Sequence, residues 1–137
     1  MTTTKSSKAL NIIAWILQGL LALTLIGGGL FKLIQPIEEL AKLWPWTAET
    51  GCLVHKTAII DILIGIGLIL PSALRIYPKL TVYSAFGLVL LMISASIFHI
   101  IRGEGSEIGF NIFLGILALF VGWVRLKKVP VLPLMKK

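Results

Sequence analysis

Four apolar runs set the pattern of this chain, at about residues 10–34, 57–74, 80–101 and 108–126, with short polar breaks between them. Each is close to the roughly 20 residues that a helix rising 1.5 Å per residue needs to cross a hydrocarbon core of about 30 Å, so four membrane-spanning helices are predicted. Pro36 stops the first, and residues 35–56 form the longest connection. Within it, Ile37, Leu40, Ala41 and Trp44 recur at helical spacing beside Glu38, Glu39 and Lys42. That pattern predicts a short amphipathic helix at the membrane interface, anchored by Trp44 and Trp46. The second run ends near Pro71, and Arg75, Tyr77, Pro78 and Lys79 make a tight basic turn. RGEGSE (102–107) is a glycine-containing turn, and residues 1–9 and 127–137 are short basic tails. The first eight residues are polar and are expected to lack fixed structure. Lys5 and Lys8 before an apolar run imitate a signal peptide. The run is about twice a typical h-region, however, and no convincing small-x-small site ends it, Gly27–Gly29 coming nearest; it reads as an uncleaved first helix.

Composition agrees with that reading. Of 137 residues, 57% are hydrophobic and 14% charged, with a mean hydropathy of +0.96, whereas soluble domains carry about 25% charged residues. Four spans and short loops leave no room for a soluble domain. The net charge of +7 would suit nucleic acid if it formed a patch, but the cations flank the apolar runs and read as topology signals against anionic lipid. Nine of the 13 Lys and Arg residues lie in the N-terminal segment (Lys5, Lys8), the second loop (Arg75, Lys79) and the tail (Arg125, Lys127, Lys128, Lys136, Lys137). The first and third loops hold Lys42, Lys56 and Arg102, together with all five glutamates, 38, 39, 49, 104 and 107. The positive-inside rule then places both termini in the cytoplasm. The fold expected is an all-α membrane protein, a four-helix transmembrane bundle with a short interfacial helix in the first loop. The one cysteine, Cys52, leaves no internal disulfide, CxxC pair or cysteine-rich metal site.

The candidate chemistry lies in the polar residues inside the runs. From Thr57 to Leu74 the only ionisable side chain is Asp61, and an acid there costs roughly 2.5–3.5 kcal/mol on insertion scales. With the topology above, Lys32, Asp61, His99 and Asn111, one from each helix, fall at similar depths of roughly 4–6 Å below the outer ends of their helices. They are candidate ligand contacts, with Trp44 and Trp46 as a lid above them. Each also has a plainer role. Lys32 can snorkel, His99 can cap, Asn111 can bridge helices, the tryptophans can be belt residues, and Asp61 can form a helix-fastening ion pair with Lys32. Small residues share the polar faces: Gly65 with Asp61, Gly28 with Lys32, and Gly115, Ala118 and Gly122 with Asn111. Helix two reads Asp61-Ile-Leu-Ile-Gly65-Ile and helix four Asn111-Ile-Phe-Leu-Gly115-Ile, a weak echo of two related hairpins. One histidine and one acid are too few ligands for a metal.

GGGLFKLIQP (27–36), GLILP (67–71) and IFHIIRGE (97–104), in this order and spacing, resemble the DoxX-like family of small four-helix membrane proteins, over about Asn11 to Trp123. The resemblance implies a four-helix bundle in the bacterial plasma membrane. The family takes its name from a subunit of a thiosulfate:quinone oxidoreductase, and it has relatives in membrane redox and oxidative-stress complexes. It carries no catalytic residues onto this sequence, and the single cysteine does not support a thiol relay. Three readings stand open. One is a redox-linked membrane subunit, part of a membrane oxidoreductase, that contacts quinone near the outer leaflet through Lys32, Asp61 and His99. Another is a binding protein or isomerase for a lipid or sterol-like ligand. The last is a structural membrane partner without chemistry of its own. The bilayer is the partner expected in every case, and a redox subunit or a second copy of the chain are further candidates; nucleic acid is not expected.

Overall fold

The computed structural model describes residues 5–134, and the ends of both tails lie outside the described residues. Its elements are α1 (Lys5–Ile34), α2 (Ile37–Leu43), α3 (Trp46–Glu49), α4 (Gly51–Leu74), α5 (Lys79–Ile101) and α6 (Ile108–Trp123). A 3-10 turn at Gly105–Glu107 precedes α6, and a π-helical turn at Val124–Lys128 follows it. Among the described residues four helices are long and apolar enough to cross a membrane: Ser7–Ile34, Gly51–Leu74, Lys79–Ile101 and Ile108–Lys128. The protein is a multi-pass membrane protein, an all-helical four-helix bundle.

Consecutive long helices pack antiparallel. The most extensive seams are α1 with α4 and α5 with α6, followed by α4 with α5, while α1 meets α6 along a thinner seam. Leu21, Leu25, Leu68, Leu88, Leu114 and Val121 fill the centre together with the small residues Ala22, Ala85 and Ala118. Ile12, Leu23, Leu63, Leu90, Phe110 and Ile116 point outward and are exposed. An apolar exterior of this kind needs lipid around it, since water would leave it as one large hydrophobic patch.

The helices run past the apolar stretches at several ends. Residues 5–8, expected to be without structure, belong to α1, and α4 begins six residues ahead of the expected span. Helical hydrogen bonding needs no apolar surroundings once a span has nucleated it. α4 also passes through Pro71 instead of ending there. Proline has no N–H to offer the carbonyl four residues earlier, that of Gly67. The Thr81 hydroxyl, from α5, donates to that carbonyl at 3.1 Å and sits 2.7 Å from the Ser72 hydroxyl. The neighbouring helix thereby replaces the bond that the proline removes. The helix ends three residues later at Leu74, and its cap Arg75, in the left-handed conformation with φ 56°, has its N–H on the Pro71 carbonyl.

In the first loop Pro36 precedes α2, and Leu40 is the fully buried residue of that amphipathic turn. Past the π turn the chain is extended and folds back over the α4–α5 turn, where the Leu134 N–H donates to the Arg75 carbonyl and Arg75 Nε to the Leu132 carbonyl, each at 2.8 Å.

Candidate functional site at the loop end of the bundle

Lys32 and Asp61 meet. Lys32 Nζ lies 2.7 Å from Asp61 Oδ2 and donates also to Thr57 Oγ1 at 3.3 Å, and the two charged side chains are only 12% and 13% exposed. Thr57 is held for this contact by its own bond to the Val54 carbonyl at 3.1 Å. The pair forms because α1 and α4 approach closely just beside it. Gly29 lies against Ala58 and Ile62, and Gly65 against Ala22 and Ile26, so tightly that a Cβ at either glycine would stand 2.6 Å from an isoleucine Cγ1. Gly28, the residue expected on the Lys32 face, borders open space; Gly29, three residues before Lys32, makes the contact. Small residues in that seam let a short carboxylate reach across to a lysine.

The other candidates do not join this pair in one connected layer. His99 Nδ1 is 2.9 Å from Glu104 Oε1, and Arg102 Nε donates to the same oxygen at 3.1 Å. Arg102 Nη1 reaches Glu49 Oε2 at 2.6 Å, bridging the third loop to α3. Gly103, at φ +77°, turns the chain so that the Glu104 N–H can bond the His99 carbonyl at 2.7 Å. Trp46 packs edge-to-face on Phe98, and Trp44 likewise on Phe31, with centroids 5.8 and 6.1 Å apart. The two tryptophans therefore pin the first loop onto α5 and α1. Arg102 also lies over the Phe98 ring.

The His99 hydrogen bond, and after it those from Arg102, hold the Glu104 carboxyl below the usual carboxylate range, and Glu49 and Glu104 raise the Arg102 guanidinium further above its own. A carboxylate whose folded-state pKa is lowered stabilises the fold above its unfolded value, near 4.5, and that contribution fades as pH falls through the lowered one. Acidification below pH 4.5 is therefore expected to loosen the 102–107 turn while the spans stay intact. Backbone hydrogen exchange, corrected for its intrinsic rate, should rise there in wild type and should already be high and far less pH-dependent in Glu104→Gln.

Asn111 stands apart in the α5–α6 seam. It lines an apolar groove of about 340 Å³ with Met92, Ile93, Ser96, Gly115 and Ile116 among its walls. Its Nδ2 is buried and has no hydrogen-bond partner among the described residues. Ser96, the other polar residue there, gives its hydroxyl proton to the Met92 carbonyl at 2.8 Å. Gly115 faces Met92, and Gly122 faces the Phe86 ring, so the Asn111–Gly115–Gly122 face does turn towards α5. The two hairpins are thus alike in packing, each with a glycine four residues past its polar residue set against the partner helix. Among the described residues no three His, Cys, Asp or Glu side chains gather as a metal site would require.

One residue escapes the sequence reading. Arg125, assigned there to the basic tail, is 3% exposed and sits within the fourth span. Its Nε donates to Gln18 Oε1 at 2.7 Å, and its Nη1 to Asn11 Oδ1 at 2.8 Å and to the Val129 carbonyl at 3.0 Å. The Trp15 ring covers it at 5.2 Å, and Gln18 Nε2 continues the chain of bonds to the Leu68 carbonyl at 2.6 Å. A signal was present in the sequence: Asn11, Trp15 and Gln18 fall on one helix face at i, i+4 and i+7, a polar stripe inside an apolar run that calls for a polar partner on a neighbouring helix.

No curated protein and no solved structure matches the chain. The DoxX-like family model matches residues 16–121, well over half of the sequence and nearly all of the four-helix bundle, and the chain belongs to the DoxX-like family.

Proposed function

We propose that this protein is a small redox-linked membrane subunit that takes a carbonyl-bearing lipophilic molecule of the quinone class from the bilayer into the α5–α6 groove. One observation carries the reading: the buried Asn111 Nδ2, without a partner among the described residues, in the wall of that groove. A buried donor left unmade costs about 1–3 kcal/mol, and a quinone oxygen would satisfy it. The groove volume falls within the roughly 300–1,000 Å³ of small-molecule sites, and its walls are otherwise apolar, as a ring arriving from lipid requires. His99, three residues beyond Ser96 on α5, with Glu104 as its partner, is the group placed to exchange protons with water at the loop end. Electrons would come from a partner redox subunit. The charge bias of the loops puts this end on the outer face of the plasma membrane.

A second reading applies to Lys32 and Asp61. Their mutual contact and the Thr57 bond leave them little to offer a ligand, which supports a helix-fastening role for that pair.

The test is titration of a short-chain ubiquinone into the protein in phosphatidylcholine nanodiscs, followed by tryptophan fluorescence. Asn111→Leu is expected to weaken binding roughly tenfold while leaving thermal stability equal or higher, since the orphaned amide is gone. Undiminished binding in Asn111→Leu sinks the groove reading. A neutral lipid that survives purification, and that quinone does not displace, would favour the lipid-binding alternative.

A further inference from the structure

At the opposite end of the bundle, where the α4–α5 turn and the C-terminal tail meet, lies a larger cavity of about 1040 Å³. Its charged lining residues are Arg75, Lys79 and Arg125, with Tyr77 and Tyr83 beside them and residues 130–134 as its roof. Among the described residues no acidic side chain lines it. All six acids of the chain lie between residues 38 and 107, and Asp61, the one inside a span, is taken by Lys32. Arg125 is therefore a buried guanidinium whose partners are two amides, a carbonyl and an indole ring, none of them an anion. Its Nη2 is buried with no hydrogen-bond partner among the described residues. Arginine stays protonated in proteins, and a buried charge without a counter-ion is a costly arrangement unless an anion arrives.

We propose that this cavity binds a phosphate-bearing anion, with Arg125 as its buried anchor and Lys79 and Arg75 at its rim. With Nε and both Nη1 hydrogens of the guanidinium fork spent on Gln18, Asn11 and Val129, the two N–H groups of Nη2 remain to donate charge-assisted hydrogen bonds to phosphate oxygens. The Asn11–Gln18 clamp holds the fork from the α1 side, so it is oriented before the anion arrives. Most of the lining is apolar side chain, including Leu80, Val82 and Leu132, and such walls suit the glycerol and acyl portion of an acidic phospholipid. Inorganic phosphate would engage the same cations without using those walls. Residues 130–134, tied to Arg75 through the Leu134 and Leu132 bonds, close over the site.

The experiment uses the full chain in nanodiscs of phosphatidylcholine alone or mixed with phosphatidylglycerol, with retained lipid counted by native mass spectrometry. A parallel arm adds inorganic phosphate to the phosphatidylcholine discs and follows thermal unfolding. Wild type is expected to retain phosphatidylglycerol in preference to phosphatidylcholine. Arg125→Gln should lower that retention roughly tenfold or more, and Lys79→Gln roughly fivefold. Lys79 is exposed, so Lys79→Gln keeps the fold and carries the test should Arg125→Gln fail to fold. Stabilisation by inorganic phosphate that is lost in Lys79→Gln, without lipid retention, identifies free phosphate as the source and upholds the site. Equal retention of the two lipids together with no response to phosphate overturns the proposal, as does a preference that both substitutions leave unchanged.

Discussion

Lys32→Met is expected to lower the stability of the bundle by about 3 kcal/mol, while the double change Lys32→Met with Asp61→Leu restores most of that loss. The asymmetry follows from what each substitution leaves behind. With Lys32 gone, the Asp61 carboxylate stays in an apolar seam at 13% exposure with no cation, and breaking one side of a buried pair typically costs about 3–5 kcal/mol. With both gone, the seam is two apolar side chains in a lipid-lined bundle, and such replacements are often neutral. Thr57 keeps its bond to Val54 in either case. Unfolding in mixed micelles, followed by helical circular dichroism, gives the three stabilities. A double variant as unstable as Lys32→Met would mean that the pair does more than neutralise itself, and a ligand role for Asp61 would regain ground.

The second large effect separates two adjacent glycines. Gly29→Leu should cost about 3 kcal/mol, at the upper end of what over-packing usually does, because a Cβ there would lie 2.8 Å from the Ala58 carbonyl oxygen and 2.6 Å from Ile62 Cγ1. Backbone cannot step aside as a flexible side-chain tip does, so α1 and α4 must part, and the Lys32–Asp61 contact with them. Gly28→Leu, with nothing within 4 Å of its added Cβ, should change stability by no more than about 0.5 kcal/mol. Thermal unfolding of the two variants in the same detergent compares them directly. Equal effects would contradict the α1–α4 register described above.

That contrast also shows why part of the site was legible in the sequence and part was not. Four apolar runs, their order and the Lys32–Asp61 pairing follow from length and depth alone, since a lone acid and a lone lysine near the same end of two apolar helices have few other partners. Helix phase is another matter. Where nearly every position is apolar, rotation about the axis leaves almost no trace in the sequence, so Gly28 and Gly29 could not be told apart before the seam was seen. Pro71 misled for a related reason: the hydroxyl that rescues its helix comes from Thr81 on the next one. Arg125 was hidden by its neighbours Lys127 and Lys128, which are exposed and read together with it as one basic cluster. His99 and Asn111 lie at the same end, but His99 finds Glu104 through the fold of a six-residue turn and Asn111 faces the α5–α6 groove, neither of which depth can reveal.

The close α1–α4 seam has a consequence for biogenesis. α1 leaves the ribosome before α4, and its lysine sits two residues from the C-terminal end of the helix, where a long side chain can reach the headgroups while α4 is still being made. Asp61 has a short side chain and lies ten residues past the start of α4, so it has no such refuge. It emerges later, when the cation that receives it is already waiting in the bilayer. Synthesis in this order never leaves the acid stranded in lipid, whereas a circular permutant that starts at α4 would expose the translocon to an unaccompanied carboxylate and should insert poorly.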